Sequence, residues 1–389
     1  MGRRIGISSV ENQIRSKRQA LGLGQGALAE RCGLTRQAIS GIEAGHYIPN
    51  TAVALRLAKA LGCTVEDLFQ FPEERLRVEA EFLGDAPAGE AGRTRVWLAR
   101  IGERLVARAL SGTMAAFTAA DGLTVSTLPH QHPPLPTRKA VAVELLIEPQ
   151  LLEHTVVVLG CDPALALLGV HLARRYAACR LVWIHSSSLA ALQMLYRGEA
   201  HAAGTHLWDP ESGEYNLPYV RRELAGRRLV VVTLSQWEEG LIVARGNPKG
   251  IIGPADLARR ALAIINREAG SGSRMALDTW LRREGIAPRQ VRGYRREVSS
   301  HLSVAEAVAS GVADAGPGIL AAARMFGLDF IPLQEERYDL VIPLEFLNAP
   351  SVQALLDVAV SPAFREELEA LGGYDVSQAG RVVAEMASS

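Results

Sequence analysis

The chain has 389 residues, 48% of them apolar, which exceeds the size at which a single core usually keeps growing, so two or three domains are expected. No apolar run reaches the roughly eighteen residues of a membrane span, because Asp162, His171 and Arg259 interrupt the longest candidates, and no apolar signal core follows the basic N-terminus; a cytoplasmic protein without membrane contact is expected. Net charge is zero, yet residues 1 to 62 carry nine Lys/Arg against three Asp/Glu and the remainder 33 against 39, a compact basic piece on a mildly acidic body.

Five short helices are predicted in the first seventy residues: about 12 to 21, 25 to 31, 35 to 45, 51 to 61 and 65 to 69. Cys32-Gly33-Leu34 makes a tight turn before the third, Thr35 is a good N-cap, and Gly45 stands where a helix-closing glycine belongs. Ile14, Leu21, Leu28, Ala29, Ile39, Ile42, Leu55, Leu57, Ala58, Leu61 and Leu68 recur at helical spacing and form the expected small core.

Leu23-Gly24-Gln25-Gly26-Ala27-Leu28-Ala29 followed by Leu34-Thr35-Arg36-Gln37-Ala38-Ile39-Ser40-Gly41-Ile42-Glu43-Ala44-Gly45 resembles the phage-repressor, xenobiotic-response-element type of helix-turn-helix. Pro49, the helix from Thr51 and Glu66-Asp67-Leu68-Phe69 extend the resemblance over about sixty residues. It implies a five-helix head over residues 1–71 that binds double-stranded operator DNA, with the helix opening at Thr35 in the major groove. Arg36, Gln37 and Ser40 would face base edges, Arg suiting guanine and Gln adenine, while Gln25 would hold a phosphate. Arg15, Lys17, Arg18 and Arg31 read as backbone-neutralising or solvated. The competing reading, a helical interaction module, has neither the ordered motif nor the local charge in its favour. A homodimer on two half-sites is implied by the family alone.

Residues 72–92 read as a flexible linker, rich in small residues from Gly84 to Gly92. Residues 93–150 read as a small β-rich module packed on the rest: a hairpin from Thr94 to Leu110 turning at 101 to 104, a turn at Ala120 to Leu123, and a strand from Lys139 to Ile147. His130 and His132 form a His-x-His pair in a proline-rich stretch, which reads as a surface loop rather than a metal site because no carboxylate or thiol lies near in sequence.

From residue 151 to 389, strand-like runs alternate with helices: 155 to 160, 163 to 176, 181 to 184, 188 to 196. That alternation predicts an α/β domain with helices on both sheet faces. A partial internal echo, Leu195 to Gly204 against Val308 to Pro317, closes a helix on glycine and then enters a short strand in both copies. Each copy follows a Ser/Gly-rich turn, His185 to Ser188 in the first and Gly270 to Arg274 in the second. Two similar lobes are expected, with an anion held between helix N-termini in the cleft.

The segments Gly160-Cys161-Asp162-Pro163-Ala164-Leu165, Ala203 to Leu207, Glu214-Tyr215-Asn216, Asn266 to Arg274 and Glu336 to Leu340 resemble the type II periplasmic-binding-protein-like domain found fused to helix-turn-helix heads and to molybdopterin-biosynthesis proteins. The resemblance covers nearly all of 155 to 343 and implies a ligand-responsive regulator whose ligand is a small anion. Molybdate or tungstate is suggested because related two-lobed domains bind them, with a pterin-type cofactor or carboxylate as the alternative. No prosthetic group is expected. Ser187, Ser188, Thr205, His206, Ser271, Ser273 and Arg274 are the pocket candidates, since hydroxyls and N–H groups suit a tetrahedral oxyanion and Arg274 could grip it bidentately. The same serines could equally be helix caps. Asp162, Glu297 and His301 are secondary candidates.

An enzyme is disfavoured. Ser188, His206 and Asp314 supply hydrolase ingredients, but no Gly-x-Ser-x-Gly elbow is present, and Gly270-Ser271-Gly272-Ser273 lacks the Gly-Lys-Thr ending of a phosphate-binding loop. The four cysteines, Cys32, Cys63, Cys161 and Cys179, form no Cys-x-x-Cys pair and suit a reducing compartment. Cys161 with His201 and His206 matches no zinc spacing, so no metal site is expected.

Overall fold

Thr35 Oγ1 accepts from Ala38 N at 3.1 Å, Asn50 Oδ1 from Val53 N at 3.0 Å, and Thr64 with Asp67 forms a capping box, so the short helices of the first unit start where their side chains supply a cap. These contacts belong to a computed structural model that describes residues 10–70, 75–84, 93–125 and 139–387. His130 and His132 lie outside the described residues. The chain divides into two units, residues 1–76 and 77–389.

The first unit contains α1 (Ile14–Ala20), α2 (Gln25–Cys32), α3 (Arg36–Glu43), α4 (Thr51–Leu61) and α5 (Val65–Leu68). Gly33 and Gly62 close α2 and α4 in the left-handed conformation. Ile14, Leu28, Ile39, Leu57 and Leu68 are fully buried. Leu21 and Leu55, expected in this core, are exposed instead: Leu21 is the residue that caps the end of α1, and Leu55 lies off the Ala54, Leu57, Ala58, Leu61 stripe that α4 buries. A feature the helical pattern could not announce is a two-residue ladder, β1 (Glu11–Asn12) with β2 (Phe69–Gln70), that ties the ends of the unit together.

The second unit opens with five strands that close into a barrel: β3 (Arg77–Leu83), β4 (Arg95–Ile101), β5 (Arg104–Ala109), β6 (Gly122–Thr124) and β7 (Lys139–Leu145). The hairpin predicted at 94 to 110 is β4–β5. The linker reading of 72–92 is corrected over Arg77–Leu83: this segment pairs with β5 and β7, and its alternating burial was masked by the charges of Arg77, Glu79 and Glu81. Leu83, Trp97, Ala99, Ile101 and Val106 of the barrel share one apolar cluster with Val157, Leu159 and Leu192 of the domain that follows. Polar straps reinforce it. Arg180 reaches Asp121 and Leu98 O, and His201 accepts from Val157 N at 2.9 Å through Nδ1 while Nε2 meets Arg100 O at 3.1 Å.

The remaining elements are α6 (Gln150–Glu153), β8 (Thr155–Gly160), α7 (Ala164–Arg175), β9 (Arg180–His185), α8 (Ser188–Tyr196), β10 (Ala202–Thr205), β11 (Trp208–Asp209), β12 (Glu214–Tyr215), α9 (Leu217–Glu223), β13 (Leu229–Val243), β14 (Asn266–Arg267), α10 (Gly272–Arg283), β15 (Glu297–Val298), α11 (His301–Ala309), β16 (Ala315–Ile319), α12 (Leu320–Met325) and β17 (Asp329–Pro343). Helices α13 (Leu344–Leu347), α14 (Pro350–Ala359) and α15 (Pro362–Leu371) and strands β18 (Tyr374–Asp375) and β19 (Val382–Met386) complete the chain.

Two lobes arise because β13 and β17 are each fifteen residues long and run antiparallel through both. One half of the pair continues into β10, β8 and β9, with β19 on the far edge of β13; the other half of β13 carries β16. Register shifts at Thr233/Ser235 and Glu239/Gly240 bend the pair between the lobes. Gly240 is required there, since a Cβ would lie 2.0 Å from Ile331 O. The internal echo is real: α8, left-handed Gly198 and β10 match α11, left-handed Gly311 and β16. The expected partner turn is corrected. Gly270 to Arg274 opens α10, one helix too early, and the counterpart of Ser187-Ser188 before α8 is Ser300-His301 before α11.

Candidate DNA-reading helix and inter-lobe cleft

In the first unit, Thr35 caps α3, and Arg36, Gln37 and Ser40 project from its exposed side. The buried side of α3, Ile39 and Ile42, fixes the helix on the core. Gln25 is corrected: its Nε2 donates to Glu43 Oε2 at 2.9 Å, inside a network in which Arg18 donates to both Glu43 oxygens at 2.6 and 3.1 Å. Arg18 is accordingly buried rather than solvated. The reason is local geometry, since α1, the start of α2 and the end of α3 meet at Glu43, whose carboxylate is wholly enclosed.

In the second unit the candidate residues gather around His206, which follows β10. Ser188 Oγ, at the start of α8, accepts from His206 N at 3.2 Å. Gly272, at the start of α10, packs so closely that a Cβ would lie 2.1 Å from His206 O and 2.5 Å from its ring. His301, first residue of α11, places its ring 5.6 Å from that of His206. The N-termini of α8 in one lobe and of α10 and α11 in the other therefore converge on one residue, an arrangement that favours negative charge.

The predicted pocket residues fall into three groups. Ser187 and Ser271 are helix caps, accepting from Ala190 N at 3.4 Å and Arg274 N at 3.3 Å. Ser188, Thr205, His206 and Ser273 are completely buried in the cleft; Thr205 Oγ1 has no hydrogen-bond partner, and the Ser273 hydroxyl faces the Glu239 carboxyl. Arg274 is corrected: its Nη1 donates to Glu297 Oε1 and to Arg267 O, each at 2.9 Å, and its guanidinium stacks 4.3 Å from the Tyr294 ring centre. Glu297 is thereby committed to that clasp.

The guanidinium buried in the cleft is that of Arg267. Nε and Nη2 donate to Glu268 at 2.9 and 3.0 Å, while Nη1 is buried without a partner. Burial opposes this charge, but Glu268 outweighs it and holds the pKa above the ordinary value. Glu239 and Trp237 on β13 and Glu336 and Tyr338 on β17 complete the wall, with Trp237 Nε1 also lacking a partner. Burial, then Glu336, raises the Glu239 carboxyl to about 8. His206 Nε2 lies 3.2 Å from Cys161 Sγ and Nδ1 2.5 Å from Glu336 Oε2. Burial disfavours its protonation, but Cys161 and Glu336 together raise its pKa well above the usual value. His301 goes the other way, lowered by burial and then by Arg267 and His206. Asp162 Oδ1 caps α7 through Ala164 N at 2.9 Å and accepts from Tyr374 Oη at 2.7 Å, and burial raises its pKa to about 6.

The hydrolase ingredients are not assembled. Ser188 engages the His206 main chain, and Asp314 Oδ2 accepts from Ala263 N at 2.8 Å. His201 is the strap between barrel and lobe, apart from Cys161. Arg267, Glu239 and Glu336 carry no distinctive spacing, whereas His301, a secondary candidate, opens α11 as Ser188 opens α8.

A capped, exposed recognition helix on one unit and a polar cleft between two α/β lobes on the other define a DNA-binding head joined to a ligand-binding domain. Residues 14–68 match the helix-turn-helix family and residues 169–360 the PBP superfamily domain. The uncharacterized protein YvgK of Bacillus subtilis (strain 168) is 38% identical over 230 residues, covering 59% of this chain and 74% of that protein. An uncharacterized HTH-type transcriptional regulator of Methanothermobacter thermautotrophicus is 48% identical over 62 residues, 16% of this chain and 90% of its own. Among solved structures, a putative phosphate ABC transporter substrate-binding protein with bound phosphate from Clostridium perfringens aligns at 12% identity and TM-score 0.44, over 56% of this chain and 97% of its own. The substrate-binding domain of a putative molybdenum ABC transporter from Clostridium difficile aligns at 15% identity and TM-score 0.40, over 57% and 98%. The chain belongs to the helix-turn-helix regulators that carry a C-terminal PBP-like domain. Among the described residues no helix is long and apolar enough to cross a membrane.

Proposed function

We propose that the chain is a cytoplasmic, dimeric transcriptional regulator whose operator affinity is set by a small anion closed between the two lobes, with molybdate and tungstate as the first ligands to test. The observation that carries this reading is Arg267, a completely buried guanidinium with Nη1 uncommitted, among three converging helix N-termini and the free hydroxyl of Thr205. The enclosure of these groups favours a small ligand over a pterin-sized one. We propose binding, not catalysis, as the task of the cleft, because Ser188 and Asp314 are engaged elsewhere.

Coupling to DNA requires that the anion prefer one of two global states. A melting screen of the full chain against molybdate, tungstate, sulfate, phosphate and small carboxylates tests the ligand: an anion at a hundred times its dissociation constant should stabilise the fold by about 2.7 kcal/mol. A shift with a carboxylate alone would discard the metal oxyanions. Failure to retain any specific DNA sequence at physiological salt would discard the regulator reading itself.

A further inference from the structure

Cys161 follows β8, His206 follows β10 and His301 opens α11, so two of these residues belong to one lobe and the third to the other. Their ligand atoms, one from each residue, all lie within 4.8 Å of one another, and all three residues are buried. Neither nitrogen of His301 has a hydrogen-bond partner, although its exposure is 0%. A buried imidazole without any partner is rare in a folded protein unless something else occupies its lone pair.

We propose that Cys161, His206 and His301 form a three-ligand site for a borderline-soft divalent cation of the Zn2+ class, which fastens the two lobes to each other. Thiolate with imidazole is the donor set that selects such ions, and three protein ligands leave a fourth position open. The orientation of His206 supports the assignment. Glu336 Oε2 accepts from Nδ1 at 2.5 Å and turns Nε2 toward Cys161 Sγ at 3.2 Å, and Gln334 Nε2 in turn donates to Glu336 Oε1 at 2.6 Å. A carboxylate behind the far nitrogen of a ligating histidine is the usual outer-shell support of a metal site. On binding, the thiol proton and the proton on His206 Nε2 leave to solvent as the cation takes their place. A water or an anion oxygen would complete the coordination.

The test uses the full chain, treated with a chelator and then titrated with Co2+. One ion should bind per chain with a thiolate-to-cobalt charge-transfer absorption in the near ultraviolet. Cys161→Ser should abolish that absorption, His301→Gln should weaken binding, and Cys179→Ser should leave both unchanged. Glu336→Gln should lower affinity by about 10–100-fold while keeping the absorption. Near-ultraviolet circular dichroism of each variant shows that the fold is intact; should Cys161→Ser fail to fold, His301→Gln and Glu336→Gln carry the test. Absence of the absorption in the wild-type chain, or its survival in Cys161→Ser, would overturn the site. The proposal stands apart from the anion reading: oxyanion stabilisation of the chelator-treated chain with no Co2+ binding would discard the metal and retain the anion.

Discussion

Arg274 Nη1 donates to the main-chain oxygen of Arg267 at 2.9 Å, so one arginine braces the strand that carries the other. The clasp of Arg274 with Glu297 and Tyr294 supports β14, and β14 delivers Arg267 into the cleft. Their roles can be separated. Arg267→Met should reduce anion affinity by about 10–100-fold, the worth of hydrogen bonds to a charged group, and Arg267→Lys should not restore it because a point charge lacks the planar fork. Arg274→Met should lower the melting temperature more than it weakens the anion. Calorimetric titration with the anion found in the melting screen reads both; equal losses in the two variants would contradict the division.

Glu239 holds a buried carboxyl beside the Ser273 hydroxyl in the same enclosure and, when ionised, opposes a negative ligand. Glu239→Gln should tighten anion binding several-fold at pH 8 and above, where the carboxyl is ionised. Weaker binding in this variant would show that the carboxylate contacts the ligand as an acceptor.

On the head, Arg36→Ala and Gln37→Ala should each cost about 1–3 kcal/mol of discrimination at one base position, while Arg31→Ala, at an exposed backbone-neutralising candidate, should weaken all sequences alike. Competition binding with single-base operator variants measures this. Uniform loss from Arg36→Ala would move that residue from base reading to the backbone.

Glu43 gathers Arg18, Gln25 and Arg15 in one network. Removing it leaves Arg18 buried without its partner, and Glu43→Ala should destabilise the head by about 3–5 kcal/mol. Burial raises the carboxyl's pKa, but hydrogen bonds from Arg18 and Gln25 outweigh it and leave it below the ordinary value. This stability is therefore present above the unfolded-state pKa and lost as pH falls through the folded one. Acid titration of head ellipticity should show the loss in the wild type and not in Glu43→Gln.

His201 titrates in the opposite window from its ordinary one. Burial lowers its pKa from 6.5 to about 4, and Nδ1 must stay unprotonated to accept from Val157 N. A depressed folded pKa gives stability that is full above 6.5 and lost as pH falls toward 4, about 3 kcal/mol in all. Melting of the second unit between pH 4 and 7 should carry this dependence, and His201→Gln should flatten it.

Much of the fold was legible in the sequence because local chemistry specified it. Thr35, Gly33 and Gly62 announce helix ends, and the 155 to 196 alternation announces strand and helix in turn. β3 was hidden because a barrel strand with charged outward positions looks like a charged linker until its partners β5 and β7 are known. The cleft was half legible. Residue type and turn position bring Thr205, His206 and Ser273 forward as candidates, whereas Arg267, Glu239 and Glu336 depend on two long strands and a loop meeting across the chain. Arg274 and Gln25 were misassigned for one reason: residue type shows what a side chain can hold, not which acidic neighbour has already claimed it.

The shared apolar cluster of barrel and lobe also decides where this gene can be cut. A transplant beginning at Arg77 carries a lobe whose Val157, Leu159 and Leu192 remain sealed by Trp97, Ile101 and Val106. One beginning at Gln150 strips that seal and leaves an oily face in water. The barrel is thus part of the receiver.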